Sequence, residues 1–336
     1  MPEGPVKYLD ALEAQAANVT SMARVVAEVL GRTPPPAPRR PVLIGMGASY
    51  AALGAAEHVL RAHGGPAQRV VASDFDPATF EVCDLVVALS QSGKSRETLE
   101  AVQSTAVPAL AVVNIAGSPL AQASASTLAF GPVPDSLAST AGYTGSLVAM
   151  GMLTEVWTTG RPGPGWRSLG ERIAAFRSGT AQLVADLTGA LAGHSSVDVI
   201  GSGGYSGAAE AGALLLRETS TMPTAAFSGR QYLHGPMEAG PGVGHLVIGQ
   251  TDAAAVAAPL AARGHPVIII SAVADPAWAQ PGVRVITLPA HSLTEEYVFT
   301  AILLQDVAAA LSAERSTDPD DFGFISPDTK VEAAAP

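Results

Sequence analysis

The first half of the chain alternates short, continuous apolar runs with alanine-rich amphipathic segments. The apolar runs have the length of buried strands, and the segments between them have helical spacing. Because fully apolar strands alternate with helices, we predict an α/β fold with a parallel sheet flanked by helices on both faces, in three α/β/α layers. The predicted strands are Val42–Gly45, Arg69–Ala72, Leu85–Leu89, Ala109–Asn114 and Thr127–Phe130. The predicted helices are Tyr8–Leu30, Tyr50–His63, Ser95–Thr105 and Ser146–Thr158.

The second half opens with a predicted helix over 169–191 and then repeats the same order at a nearly constant offset. VDVIGSGGYSGAAEAGALLL (197–216) resembles PVLIGMGASYAALGAAEHVL (41–60), and two later pairs of segments correspond in the same way. The three offsets lie between 156 and 160 residues, as two copies of one fold would give. We therefore predict a tandem duplication of an open α/β domain. The predicted divisions are an N-terminal helix and linker (1–38), a first domain (39–160), a second domain (166–315) and a C-terminal tail (316–336).

The composition excludes several classes of protein. The formal net charge of −11 argues against binding to nucleic acid or to an anionic membrane surface. The single cysteine, Cys83, excludes an intrachain disulfide framework and is typical of a reducing compartment. The N-terminus lacks the pattern of a signal peptide, and no apolar run reaches the roughly 18 residues that span a bilayer. We therefore expect a soluble cytoplasmic protein, and the spacing of the seven histidines predicts no metal site.

A turn crowded with hydroxyl groups follows the third predicted strand, in the segment LSQSGKSRET (89–98). Ser90, Ser92 and Ser95 can donate O–H bonds, and Gly93 allows a ligand to approach the backbone. The first N–H groups of the next helix have no intrahelical partner, so a phosphate monoester is the natural occupant. A single serine here would more often be a helix cap. The second copy has GQTDAA in this place, which indicates that the hydroxyls of the first copy serve a ligand.

Two further polar loops accompany this turn. GMGASY (45–50) follows the first strand and offers Ser49, and DSLAST (135–140) offers Ser139. The first loop lacks the third glycine of a dinucleotide-binding turn, and the chain contains no GxxxxGK[ST] loop, so neither a dinucleotide nor a nucleoside triphosphate is predicted.

Together with LHGP (233–236), these segments resemble the sugar isomerase (SIS) domain family. The tandem arrangement resembles the isomerase half of glucosamine-6-phosphate synthase and the stand-alone aminosugar-phosphate deaminases, over roughly residues 40 to 320. We expect no glutaminase half, because the sequence has neither the length nor an N-terminal cysteine for one. The resemblance implies that a sugar phosphate is held by side chains of the three loops, with Ser139 near the sugar ring. The implied phosphate ligands are Ser49, Ser90, Gln91, Ser92 and Ser95, with Lys94 as an additional positive charge.

The resemblance also assigns the reacting groups. Glu218, in EAGALLLRE, matches the family's base for moving a proton between C1 and C2, and His234, in QYLHGPME, matches its ring-opening histidine. The histidine loop in the family reaches into the partner subunit, which implies a homodimer. Aldose–ketose interconversion independently requires a carboxylate or imidazole to move one proton through an enediol, and it needs no cofactor. From the residues alone, a surface glutamate and a structural histidine are the more common interpretations, and the resemblance reverses that preference.

Several positions depart from the family pattern. Lys330 lies about three residues beyond the place of the family's tail lysine, although a shifted loop could bring it there as a catalytic group. Leu215 stands where the family usually has a lysine, and Gln231 stands where an acidic residue is usual. Three functions stay open. They are an aminosugar-phosphate deaminase or isomerase, a ketose–aldose isomerase acting on another phosphosugar, and a non-catalytic sugar-phosphate-binding protein.

Overall fold

A computed structural model describes residues 5–331 of the chain. Two compact units are present. The first comprises residues up to Arg172 together with the tail from Gly323, and the second comprises Ile173–Phe322. Each unit contains one five-stranded parallel sheet with flanking helices, which confirms the predicted fold class.

The sheet of the first unit has the strand order β2-β1-β3-β4-β5, and all of its strand pairs are parallel. The three central strands are buried almost throughout, because they are apolar on both faces, whereas the edge strands β2 and β5 are partly exposed. The strands are β1 (Pro41–Gly45), β2 (Gln68–Val71), β3 (Leu85–Ser90), β4 (Ala109–Val113) and β5 (Ser126–Ala129). The helices are α1 (Tyr8–Arg32), α2 (Gly47–Ala62), α3 (Arg96–Gln103), α4 (Pro119–Ala123) and α5 (Ala141–Thr159).

The helices of the first unit cover the sheet through two sets of contacts. Alternate strand residues pack with α3 and α4 in one apolar cluster, while α1, α2 and α5 pack against one another. Helix α5 begins at Ala141, five residues earlier than the sequence predicted. The glycines at 142 and 145 hid this first turn from the sequence pattern, yet the turn is buried and Asp135 accepts a hydrogen bond from the Thr140 N–H at its start.

The sheet of the second unit, with order β7-β6-β8-β9-β10, repeats the order of the first. The repeated segments found in the sequence become β6, β8 and β9, which occupy the sheet positions of β1, β3 and β4. The strands are β6 (Ser196–Gly201), β7 (Thr224–Phe227), β8 (Val243–Ile248), β9 (Val267–Ser271) and β10 (Val283–Thr287). The helices that follow α5 are α6 (Leu169–Ser178), α7 (Ala181–Ala192), α8 (Ser206–Ser220), α9 (Gly229–Tyr232), α10 (Ala253–Ala262) and α11 (Leu293–Glu314).

Two expectations need correction here. The predicted helix over 169–191 is two helices, α6 and α7, because the chain breaks at Gly179 and Thr180. Helix α11 is long and apolar enough to pass a length-and-composition test for a membrane span, which the sequence analysis did not foresee because carboxylates interrupt its apolar run. However, 78% of its most apolar stretch is buried, and it packs against α7 and α8 as a core helix.

Candidate functional site

A cavity of about 250 Å³ opens at the carboxyl ends of β1 and β3 in the first unit. Ligands of parallel α/β sheets bind at this edge. The cavity brings together six side chains that the sequence singled out from three separate loops: Ser49, Ser90, Gln91, Ser92, Ser95 and Ser139. Lys330 of the tail lines it as well, whereas Lys94 does not.

The tight turn after β3 shapes the floor of this cavity. Gly93 adopts a left-handed backbone conformation (φ +65°), and its N–H donates to the Ser90 carbonyl at 3.0 Å. A Cβ at this position would overlap the hydroxyl of Ser118, so the turn requires glycine. Ser95 stands at the start of α3 but makes no side-chain capping bond. Its hydroxyl instead donates to Glu97 at 3.2 Å and accepts from Thr98 at 3.1 Å. The serine therefore has another role than capping the helix.

Asp135 is a residue of this cavity that the sequence analysis missed. Its carboxylate accepts hydrogen bonds from the Ser139 hydroxyl (2.7 Å), the Thr140 N–H (2.9 Å) and the Thr140 hydroxyl (3.0 Å). Burial raises the pKa of Asp135, and these hydrogen bonds oppose the shift. The carboxylate therefore fixes the position of Ser139 and the start of α5. The only sequence signal was an aspartate four residues before Ser139 in a polar loop.

The C-terminal tail pairs with the hydroxyl-rich turn. Ser95 and Lys330 form an antiparallel bridge, and the Val331 N–H donates to the Lys94 carbonyl at 2.9 Å. The Lys330 Nζ donates to the Ser92 hydroxyl at 3.3 Å. Burial lowers the pKa of Lys330; nearby Glu97 opposes this shift and Lys94 reinforces it. The tail therefore places an amine on the hydroxyl cluster.

Glu218 lies in the last turn of α8 in the second unit. Its carboxyl is partly buried and has no hydrogen-bond or ionic partner among residues 5–331, and burial raises its pKa to about 7. A carboxyl with this pKa can both take up and release a proton near neutral pH. His234 lies in the turn that follows α9, is exposed, and donates its backbone N–H to the Gln231 carbonyl at 3.1 Å.

In the second unit, side chains of the protein occupy the edge of the sheet at the carboxyl ends of its strands. Tyr205, which stands at the repeat position of Ser49, lays its ring against Gly249 at the end of β8. The Tyr205 hydroxyl donates to Glu296, which also accepts from the Ala272 N–H at 2.6 Å. A ring and a buried carboxylate thus replace the hydroxyl-lined turn.

Over the described range 5–331, no group of three histidine, cysteine, aspartate or glutamate side chains is arranged to hold a metal ion.

One family model matches part of the first unit. Residues 37–158, which are 122 of the 336 residues, match the model of the SIS domain. No such match covers the second unit, although its sheet has the same strand order. A search of curated proteins finds no match to the sequence.

Several solved structures share the fold over nearly the whole chain. The C-terminal domain of glucosamine-fructose-6-phosphate aminotransferase from Francisella tularensis has a TM-score of 0.73 at 19% identity, covering 95% of this chain and 99% of that one. Tagatose-6-phosphate ketose/aldose isomerase from Escherichia coli has a TM-score of 0.76 at 18% identity, covering 97% and 98%. Glucosamine-6-phosphate deaminase from Thermotoga maritima has a TM-score of 0.70 at 16% identity, covering 96% and 98%. At these identities the likeness establishes the fold.

Proposed function

We propose that this protein is a sugar-phosphate isomerase that acts on a hexose or hexosamine 6-phosphate, with aminosugar-phosphate deamination as its first candidate reaction. The observation that carries the proposal of an enzyme is the unpartnered Glu218 carboxyl, whose pKa is raised by burial to about 7. A protein that only binds a ligand gains nothing from leaving a partly buried carboxyl unpaired, which costs stability. The hydroxyl-lined cavity supports a phosphorylated substrate.

The proposed reaction involves two tasks, phosphate binding and proton transfer. Phosphate oxygens accept hydrogen bonds from the serine hydroxyls and from the N–H groups at the start of α3, which orients the sugar. Glu218 as carboxylate removes the proton from C2 of the open-chain aldose, which gives an enediol, and then returns the proton to C1 to give the ketose. His234 moves the proton of the ring oxygen when the ring opens.

With an amino group at C2, the same transfer has a further outcome. Moving one proton from C2 to C1, while a second proton passes from the amino nitrogen to O1, converts the aldose into a 2-imino sugar phosphate. Addition of water to this imine releases ammonia and leaves the ketose phosphate, so atoms and charge balance without a redox partner. The resemblance of the fold to a structure named as a glucosamine-6-phosphate deaminase supports this candidate.

A second candidate is ketose–aldose isomerisation of a phosphosugar without nitrogen. The contact that favours it is the one between Lys330 and Ser92, since it places the tail lysine on the hydroxyl cluster. Leu215, which cannot supply an amine in place of the family's helix lysine, favours it too. The fold shared with a structure named as tagatose-6-phosphate ketose/aldose isomerase supports it in the same way.

The test is incorporation of solvent deuterium at C2, followed by NMR across a panel of aldose, ketose and aminosugar 6-phosphates, with ammonia release measured in parallel. We expect exchange with at least one substrate, its loss in Glu218→Gln, and its retention in Glu210→Gln, which alters another carboxylate of the same helix. Binding without exchange in the wild-type protein would leave a non-catalytic sugar-phosphate-binding protein as the function.

We also propose that the chain forms a homodimer in the cytoplasm. The exposed position of His234 in a short turn supports a role for this loop in a partner subunit, and the free thiol of Cys83 supports a reducing compartment. Light scattering of the purified protein tests the dimer, and a monomer at micromolar concentration would overturn it.

A further inference from the structure

We infer that Lys330 is the cationic ligand of the substrate phosphate, and that the tail segment 328–331 is a structural wall of the phosphate site. The inference rests on the proposed function, since it assumes that the cavity of the first unit holds a phosphate. It assigns the tail lysine to charge neutralisation at the phosphate and not to covalent chemistry on the sugar.

The backbone of the tail fixes where the lysine can reach. The bridge between Ser95 and Lys330 and the bond from Val331 to the Lys94 carbonyl hold the segment along the turn. Arg96 adds a 2.7 Å hydrogen bond from its Nε to the Asp328 carbonyl. With the backbone held on both sides of position 330, the side chain is directed onto Ser92, whose hydroxyl accepts from Nζ at 3.3 Å.

The charges that line the cavity require a cation for a phosphate to bind. Glu97 and Asp135 line it with carboxylates, and Lys330 is the one basic side chain among the described lining residues. A phosphate dianion placed between two carboxylates is repelled, and the acidic charge of the whole chain adds to this repulsion. Serine hydroxyls and helix N–H groups contribute partial charges, whereas Lys330 contributes a full charge and a donor.

The position of the amine separates this role from Schiff-base chemistry. A Schiff-base lysine must place a neutral amine on a sugar carbon, whereas Nζ of Lys330 is hydrogen-bonded to the hydroxyl cluster proposed to hold the phosphate. The displacement of Lys330 by about three residues from the family's tail lysine agrees with a different target for its amine.

Phosphate binding should be linked to protonation of Lys330. Burial lowers its pKa, with Glu97 opposing and Lys94 adding to the shift. A bound dianion favours the charged amine, so binding at alkaline pH should take up a proton. The charged groups on the elements around the amine are Lys94, Arg96, Glu97, Asp135 and Asp328.

The test is titration calorimetry of the full chain with inorganic phosphate and with sorbitol 6-phosphate, a probe that cannot isomerise. We expect Lys330→Met to weaken binding about 10- to 100-fold, the range of a lost charged hydrogen bond. Lys330→Arg should keep most of the affinity, and Lys7→Met, which removes an exposed charge outside the cavity lining, should keep all of it. Titrations at pH 9 in two buffers of different ionisation enthalpy should show proton uptake in the wild-type protein and none in Lys330→Met.

Three other outcomes would overturn the inference. The first two would leave the proposed function standing, and the third would not. Affinity of Lys330→Met within about twofold of wild type, where the wild-type protein binds, removes Lys330 alone from the phosphate site. Borohydride trapping of a sugar adduct on Lys330 assigns it covalent chemistry instead. If the wild-type protein binds neither probe, the proposed function fails together with the inference.

Discussion

The hydroxyl of Tyr205 donates a 3.0 Å hydrogen bond to Oε2 of the buried Glu296. This pair occupies, in the second sheet, the carboxyl edge that in the first sheet holds the hydroxyl-lined cavity. The two units therefore share one topology but differ at the edge where α/β sheets bind ligands. The difference gives each chain one predicted phosphate site, and it makes the second unit depend on Tyr205 for stability.

Tyr205→Phe should destabilise the protein by about 1–3 kcal/mol, because Glu296 loses a buried hydrogen-bond donor. Urea unfolding of the variant and of the wild-type protein measures the difference. Phosphate binding should keep a stoichiometry of one per chain in both proteins, whereas Ser49→Ala at the equivalent position of the first unit should weaken it. A second phosphate equivalent in the wild-type titration would contradict the assignment of a single site.

Gly93→Ala should damage the cavity and the fold together. The substitution places a Cβ on a residue with φ +65° and against the Ser118 hydroxyl, so a loss of about 1–3 kcal/mol is expected from strain of this kind. Because the turn carries Ser92 and Ser95, phosphate affinity should fall as well. Gly117→Ala is the matched control, since a Cβ there meets no atom within 4 Å. Equal stability of the two variants would show that the turn tolerates a side chain.

The serines of the cavity could be predicted because they form a local cluster whose repeat copy lacks them. Asp135 could not, because a single aspartate in a polar loop has no periodic or repeat signal, and its role depends on contacts with Ser139 and Thr140. The contact between Lys330 and the cavity could not be predicted either. The tail has no regular structure, so its position is set by the pairing of Lys330 with Ser95 and not by the spacing of residues in the sequence.

The sheets were predicted more fully than the helices. Buried strands can be recognised in the sequence because they are continuous apolar runs. The nearly constant repeat offset predicted that the strands of the two units are arranged alike, and the two sheets have the same strand order. Helix α5 was misplaced because burial overrode the weak helix preference of Gly142 and Gly145. The break between α6 and α7 was missed because the helical spacing on both sides outweighed the local signal of the exposed Gly179. The raised pKa of Glu218 depends on burial, which no sequence pattern shows for a polar residue near a helix end.

Asp135→Asn should disorganise the loop that carries Ser139. An amide oxygen accepts the same hydrogen bonds more weakly, and an amide nitrogen cannot accept them, so a loss of about 1–2 kcal/mol is expected. Substrate turnover should fall through a higher KM if Ser139 contacts the sugar. Thermal unfolding and steady-state kinetics measure the two effects, with Asp10→Asn at an exposed position of α1 as control. Unchanged KM together with lower stability would limit Asp135 to a structural role.

His245 should make the second unit sensitive to acid. Its ring is buried, and burial lowers its pKa to about 4, although the Pro266 backbone opposes the shift. The unfolded chain, with an ordinary histidine pKa, binds the proton more tightly. Stability is therefore complete above about pH 6.5 and falls as the pH drops towards 4, by on the order of 3 kcal/mol.

The measurement for His245 is the urea midpoint of unfolding between pH 7 and pH 4. His245→Gln should show a shallower fall than the wild-type protein, because it removes the group that must be protonated, even if the variant is less stable at pH 7. His291→Gln alters an exposed histidine and should follow the wild-type curve. Identical slopes for His245→Gln and the wild-type protein would assign the acid sensitivity to other groups.

Glu218→Gln should abolish proton transfer while stabilising the protein at alkaline pH. The folded pKa of about 7 lies above the ordinary value of 4.5, so the folded state holds this proton more tightly than the unfolded chain. Ionisation therefore costs stability progressively as the pH rises from about 4.5 through 7. The full shift corresponds to about 3 kcal/mol, and the partial exposure of the side chain reduces this to about 1–2 kcal/mol.

At pH 8.5 the variant should accordingly unfold at a higher urea concentration than the wild-type protein, and at pH 5 the two should be alike. Deuterium exchange at C2 should fall by about 10²- to 10⁴-fold, the usual contribution of a general base. The rise of wild-type activity through pH 7, which reports ionisation of the base, should disappear in the variant. Glu210→Gln on the same helix should keep the rise of activity through pH 7. If Glu218→Gln kept full activity and was also more stable than the wild-type protein at pH 8.5, the carboxyl would be unpaired for a reason other than catalysis.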